Sequence, residues 1–261
     1  MTLMKPTEQK EQVRSVFTQA ADSYVRHKGE ADRASHEAML RLSRVQPSDR
    51  VLDIGCGPGF VTLLFAERAQ EAIGLDLTPA FLERARQRQE ELGLKNVRFL
   101  EGDAEQMPFE DSSFTIVISH KAFHHFANPR KILSEVHRVL RPQGRLVLGD
   151  TISSDDPSVN SVHNELERLR DPSHVKMYGL RELQELLTSA GFRMTECEVL
   201  EDERTFEWWM SVITPPPEVI ARIRQTLIED IAHNRTGLAP RLDGETLWLK
   251  RRAAVLVAVR R

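Results

Sequence analysis

The 261-residue chain is poor in cysteine: it has only Cys56 and Cys197, far apart and outside any metal-spaced cluster, so neither a disulfide framework nor a zinc site is expected. No apolar run approaches the roughly 20 residues of a membrane-spanning helix. The amino end has no charged segment followed by an apolar stretch, and the expected location is the cytoplasm. Neither sign of charge dominates, since 36 Lys and Arg against 39 Asp and Glu leave a net charge of −3. No overall positive field therefore recruits nucleic acid or a membrane surface. There is no internal repeat and no segment of low complexity. With 40% hydrophobic and 29% charged residues, the chain can bury the core of a single soluble enzyme.

Residues 51–59 read Val-Leu-Asp-Ile-Gly-Cys-Gly-Pro-Gly, an apolar strand running into three glycines, and Asp76 closes a second apolar strand. Glycines at a strand-to-helix turn let the backbone touch a ligand where a Cβ would clash, and the helix that follows offers unpaired N–H groups. A carboxylate at the distance of Asp76 can hold the two hydroxyls of a ribose. A third strand, 97–100, then delivers Asp103, which can accept from the exocyclic amine of an adenine. A dinucleotide fold also uses a Gly-rich first turn with an acid about 20 residues on. It places two residues between its second and third glycines, however, whereas only Pro58 separates Gly57 from Gly59. Asp53 and Asp103 taken singly could be turn caps. Their joint position at the carboxyl ends of expected strands, where open parallel sheets bind ligands, favours a nucleoside site.

Four stretches, 51–59, 74–76, 102–109 (Gly-Asp-Ala-Glu-Gln-Met-Pro-Phe) and 122–144 with its Ala-Phe-His-His-Phe and Leu-Arg-Pro-Gln-Gly segments, follow in a recognisable order. Over roughly 45–150 the chain resembles the class I S-adenosylmethionine-dependent methyltransferases, in particular the small-molecule branch typified by the ubiquinone and menaquinone C-methyltransferases. The resemblance implies that the backbone of Gly55, Cys56, Gly57 and Gly59 receives the methionine and ribose part of the cofactor, with Asp53 tying the loop and the amino group. It implies Asp76 on the ribose hydroxyls, Leu77 against the adenine, and Asp103 with the backbone of Ala104 and Glu105 at the adenine edge. Ser119 and His120 would close the pocket at the end of the fourth strand.

The coarse pattern alternates strands at 51–54, 71–75, 97–100, 114–119 and 145–150 with helices at 60–69, 79–92 and 129–140, followed by a helix at 180–190 and strands at 192–200 and 253–259. Pro79 and Pro129 suit first helical turns, and Gly93 and Gly144 suit exits. Alternation of this kind builds an α/β fold with a parallel sheet covered by helices on both faces, and the resemblance implies a Rossmann-like doubly wound sheet, mostly parallel, of order 3-2-1-4-5-7-6. Its last strand is antiparallel by resemblance. Residues 1–45 are expected to form a helical cap and 46–261 the methyltransferase domain. In the cap, Val13, Val16, Phe17, Ala20, Ala21 and Tyr24 recur at helical spacing before Gly29, and a second helix is expected near 31–42. By its spacing Tyr24 is core, whereas the resemblance implies a side chain that reaches the methyl group or the acceptor.

Insertions at 153–177 and 206–249 lie outside the repeating pattern and should decide the substrate; the resemblance implies a lid for the first and, for the second, an extension of that lid or a homodimer contact. Trp208 and Trp209 in the second either pack or stack on an aromatic acceptor. Methyl transfer is an in-line displacement that demands alignment and exclusion of water. A base is required only when the acceptor must lose a proton. His124 and His125 stand at the catalytic edge, where they either hold loop carbonyls or act as that base, with His120, His163 and His174 as further candidates. No metal is expected: Asp150 ends the fifth strand, where catechol-type enzymes hold magnesium, and Asp155 and Asp156 follow, without an assured second ligand. The expected activity is transfer of a methyl group from S-adenosylmethionine to carbon or oxygen of a small aromatic, quinone-like or polyketide-like molecule. A nicotinamide-dependent oxidoreductase and a cofactor-binding module without turnover are the alternatives.

Overall fold

The computed structural model describes residues 5–28 and 31–261; the expected helix exit at Gly29 lies outside them. The strands β1 (Arg50–Ile54), β2 (Glu71–Asp76), β3 (Val97–Glu101), β4 (Phe114–His120), β5 (Leu140–Thr151), β6 (Phe192–Thr205) and β8 (Thr246–Arg260) form one sheet of order β3-β2-β1-β4-β5-β8-β6. The short β7 (Arg241–Asp243) adds a hairpin to β8. The first five strands in this order run parallel, and β8 pairs antiparallel with both β5 and β6. This is the expected order with one extra strand.

β1 reads as a nearly continuous apolar run because both faces of the sheet are covered. One face carries Leu52, Ile73 and Leu146 against α5 (Pro129–Val139) and α7 (Leu180–Ser189). The other carries Val51, Ile116 and Val147 against α2 (Arg33–Ser43), α3 (Phe60–Ala66) and α4 (Pro79–Leu92). α1 (Pro6–Lys28) lays Phe17 and Ala21 on Phe81 of α4, across the carboxyl ends of the strands.

Both insertions are helical and share a core. α6 (Pro157–Arg170), α8 (Phe206–Val212) and α9 (Pro217–Asp230) bury Leu166, Trp209, Ile223 and Leu227 against Leu247 and Leu249 of β8. They rest on a ribbon longer than expected, since β6 continues past Leu200 to Thr205 and β8 begins at Thr246. The charged run at 201–204 has a loop-like composition but forms cross-strand pairs, Glu201 with Lys250 at 2.5 Å and Glu203 with Arg241 at 3.0 Å. Among the described residues no helix is long and apolar enough to cross a membrane.

Candidate active site

The turn after β1 is built around the end of β2. Gly55 N and Cys56 N both donate to Leu75 O, at 2.8 and 3.2 Å. Asp76 then accepts from Gly57 N through Oδ2 and from Thr78 N through Oδ1, each at 2.8 Å. Burial raises the Asp76 carboxyl, and these backbone donors offset part of that rise. A cavity of about 980 Å³, part of it open to solvent, lies here at the carboxyl ends of β1 to β4.

The glycines of the turn have different tasks. A Cβ on Gly57, whose φ is +52°, would project into the cavity and meet nothing nearer than Phe81 Cδ2 at 3.8 Å. Gly55 also borders the cavity, but its Cβ would strike Ala122 Cβ at 2.5 Å. Gly59 does not line the cavity. Its Cβ would meet Phe99 at 2.9 Å and Ala85 at 3.0 Å, so it serves the packing of α3 against β3 and α4.

Asp53, 1% exposed, faces the cavity. Its Oδ2 accepts from Thr62 Oγ1 at 2.6 Å, and its Oδ1 is buried without a partner among the described residues. Burial pushes this carboxyl up to about 7, with Asp76 adding to the rise and Thr62 opposing it. An orphaned acceptor of this kind suits a cationic amine. Leu77, Asp103, Ala104 and Glu105 line the far side of the same cavity. Asp103 accepts from Glu105 N at 2.8 Å and from Lys10 Nζ at 2.7 Å. Glu105 lies on the wall but is engaged there, by Lys10 at 3.0 Å and by Asn128 Nδ2 at 3.1 Å. Lys10 thus straps α1 over the cavity, helped by Gln9 Nε2 donating to Ser173 O at 2.6 Å. Neither residue was singled out in the sequence, although Lys10 falls on the helix face of Val13 and Phe17. His120 reaches the wall and meets Ser35 Oγ at 3.0 Å. Ser119 does not: its hydroxyl points back to Ile54 O at 3.1 Å and joins β4 to β1.

The Asp53 carboxyl carries a pH prediction. A cationic amine favours the ionised form, so affinity for S-adenosylhomocysteine should fall as the carboxyl takes up a proton on acidification. With a value near 7, binding by calorimetry is expected to be about tenfold weaker at pH 6 than at pH 8. Asp53→Asn should weaken binding at pH 8 and flatten this dependence. Because the folded value lies above that of an unfolded Asp, ionisation costs stability as pH rises toward 7. Asp53→Asn should therefore raise the Tm of the ligand-free protein at pH 8, the reverse of what a structural cap would show.

A second cavity of about 510 Å³ adjoins the first and shares Phe17, Tyr24, Lys121 and His125 with it. Burial raises the Tyr24 phenol far above its usual value, so it is a neutral hydroxyl on this partition. His125 Nδ1 lies 3.0 Å from Ser173 O, which places its hydrogen there and leaves Nε2 as the acceptor. Burial, reinforced by His124, lowers His125 to about 4, so its imidazole is neutral and a weak base. His124 lines only the second cavity. Its Nδ1 is 2.6 Å from Asp150 Oδ1, and its backbone N donates to Asp150 Oδ2 at 3.1 Å. Burial alone would raise Asp150, but His124 beside it holds it down to about 2. The sequence marked Asp150 as a metal candidate; in the structure it serves His124 and accepts from Thr151 N at 2.7 Å.

The remaining histidine candidates belong to the scaffold of the lid. His163 meets Ser153 Oγ at 3.1 Å and His174 meets Asn164 Oδ1 at 2.9 Å, and neither lines the two cavities. Trp208 and Trp209 pack in the lid core and also border the second cavity.

The family described as a methyltransferase domain matches residues 46–201. The chain is 40% identical over 173 residues to the uncharacterized methyltransferase YcgJ of Bacillus subtilis, covering 66% of this chain and 68% of that one. The crystal structure of YcgJ superposes with a TM-score of 0.83 at 32% identity, over 88% of this chain and 99% of that one. The demethylmenaquinone methyltransferase of Thermus thermophilus is 45% identical over 120 residues, 45% of this chain and 54% of its own. The malonyl-[acyl-carrier protein] O-methyltransferase of Serratia marcescens is 30% identical over 178 residues, 68% of this chain and 66% of its own. With its sheet order, its glycine turn and these relatives in agreement, the chain belongs to the class I S-adenosylmethionine-dependent methyltransferase family.

Proposed function

We propose that the protein transfers a methyl group from S-adenosylmethionine to a carbon or oxygen of a small planar acceptor, aromatic, quinone-like or polyketide-like. The observation that carries this reading is the meeting of two cavities at the Tyr24–His125 partition, one edged by the orphaned Asp53 oxygen and Gly57, the other by the His124–Asp150 pair.

The first cavity fits the cofactor by an unpartnered acceptor at Asp53, space in front of Gly57, and the carboxylates of Asp76 and Asp103 on its wall. Asp53 would hold the amino group, Asp76 the ribose hydroxyls, Leu77 the adenine face, and Asp103 with Ala104 the adenine edge. When bound, the cofactor supplies a methyl group activated by a positively charged sulfur. In the second cavity Asp150 fixes the hydrogen of His124 on Nδ1, so that Nε2 is free to take a proton from a phenol, an enol or an acidic carbon. The ionised Asp150 also stabilises the imidazolium that results, in the manner of an orienting carboxylate behind a catalytic histidine. Neutral His125 and Tyr24 add no charge to the partition. α1 and the lid helices limit entry of water, which shields the transfer from hydrolytic side reactions.

Calorimetric titration with S-adenosylmethionine, S-adenosylhomocysteine and NAD, followed by incubation with methyl-labelled cofactor and a panel of phenols, quinones and amines, tests the reading. Saturable binding of both sulfur compounds and transfer of label to a phenol or quinone are expected. NAD binding without the sulfur compounds would contradict it.

A further inference from the structure

Hydrogen-bonding capacity is left over on the lid side of the second cavity. Arg251 of β8 is 9% exposed, lines this cavity and not the first, and lies 5.7 Å from the centre of the Trp208 ring. No ion pair or hydrogen bond from its guanidinium to a described residue accompanies that contact. Arg170, on the same wall, differs: its Nε and Nη2 reach Glu167 Oε2 at 2.9 and 2.8 Å. The other acid of the wall, Asp171, accepts from Ser173 N at 2.9 Å and Ser173 Oγ at 2.6 Å. Trp209 adds a second donor, since its indole Nε1 is buried and has no partner among the described residues.

Guanidinium and indole N–H are donors with no acceptor capacity. A buried cation without a counterion is unfavourable unless something brings charge and lone pairs to it. Glu167 lies within electrostatic reach of Arg251 but its carboxylate is hydrogen-bonded to Arg170, so the guanidinium of Arg251 and the indole N–H of Trp209 keep donors that no described residue takes up.

We infer that the acceptor carries an anionic oxygen group, a carboxylate in its simplest form, which Arg251 receives in the second cavity beside Trp208 and Trp209. The inference rests on reading that cavity as the acceptor site. The planar forked guanidinium matches a carboxylate in two-point geometry, and the indoles match a flat body carrying it.

The test uses the full chain saturated with S-adenosylhomocysteine and two probes of nearly equal shape, 2-naphthoate and 2-naphthamide, titrated calorimetrically. The acid is expected to bind at least tenfold more tightly than the amide. Arg251→Met should abolish that preference through loss of acid binding while leaving amide binding unchanged, and Arg251→Lys should restore part of it. Thermal melts of Arg251→Met with S-adenosylhomocysteine bound separate lost recognition from lost folding. Equal affinity for acid and amide, a preference that survives in Arg251→Met, or no binding of either probe would overturn the inference. The initial S-adenosylhomocysteine titration reports separately on the methyltransferase reading: its failure would remove that reading, whereas normal cofactor binding without acid preference removes only the role of Arg251.

Discussion

Gly57→Val is expected to leave the protein folded and to weaken S-adenosylhomocysteine binding by at least about 100-fold, close to 3 kcal/mol. The new Cβ and its methyl groups would enter the cavity at the point where Asp76 pins the backbone through Gly57 N. The nearest protein atom to that Cβ is Phe81 Cδ2 at 3.8 Å, so the fold has room for what the ligand does not. The φ of +52° adds a strain of about 1–2 kcal/mol, which lowers the Tm and does not close the cavity. Gly59→Ala is the control: two residues away, its Cβ would press on Phe99 and Ala85 and cost stability. The protein that remains folded should bind normally. Thermal melts with and without ligand separate the two effects, and a Gly57→Val protein that bound with wild-type affinity would remove the glycine turn from the site.

His124→Ala is expected to lower kcat by roughly 10²–10⁴-fold on an acceptor that must lose a proton, with cofactor affinity unchanged. Asp150→Asn should fall in the same range, since an amide no longer stabilises the imidazolium and favours the wrong tautomer. The pair acts as a unit, so the double variant should be little worse than either single one. His125→Ala, by contrast, removes a neutral ring from the partition and should alter acceptor KM more than kcat. A kcat unaffected by His124→Ala, with acceptor methylation intact, would transfer the proton to water or to another group.

The difference between these neighbouring histidines was not legible in the sequence, which offered both as bases with no means of choosing. The choice comes from register. β4 and β5 pair so that His120 lies opposite Gly149; β4 ends there, while β5 continues through Asp150 and Thr151, paired to β8. Asp150 therefore meets the 3₁₀ turn Phe123–His125 across an interval of 26 residues. No local pattern encodes that meeting. His163 and His174 could not be told from catalytic groups either, because their hydroxyl and amide partners are set by the packing of α6 on its own loop.

The cofactor side was more readable. A parallel strand covered on both faces must be apolar throughout, so β1 stood out, and counting along the chain placed Asp53 and the glycines at its end and Asp76 at the end of β2. Counting could not separate the glycine that faces the cavity from the one that packs beneath it. That distinction required Phe99 and Ala85 in place. Nor did it show that Ser119 turns inward to Ile54 O. The strand expected at 192–200 fell short for a related reason: the charged residues 201–204 find their partners only once Lys250 and Arg241 are in place.

A crystal structure of the protein with S-adenosylhomocysteine is the most direct test. The amino group should lie about 3 Å from Asp53 Oδ1, the adenine between Leu77 and Ala104, and the sulfur should face the Tyr24–His125 partition. An adenosyl group bound elsewhere, or a sulfur turned away from the chamber of His124, would contradict it.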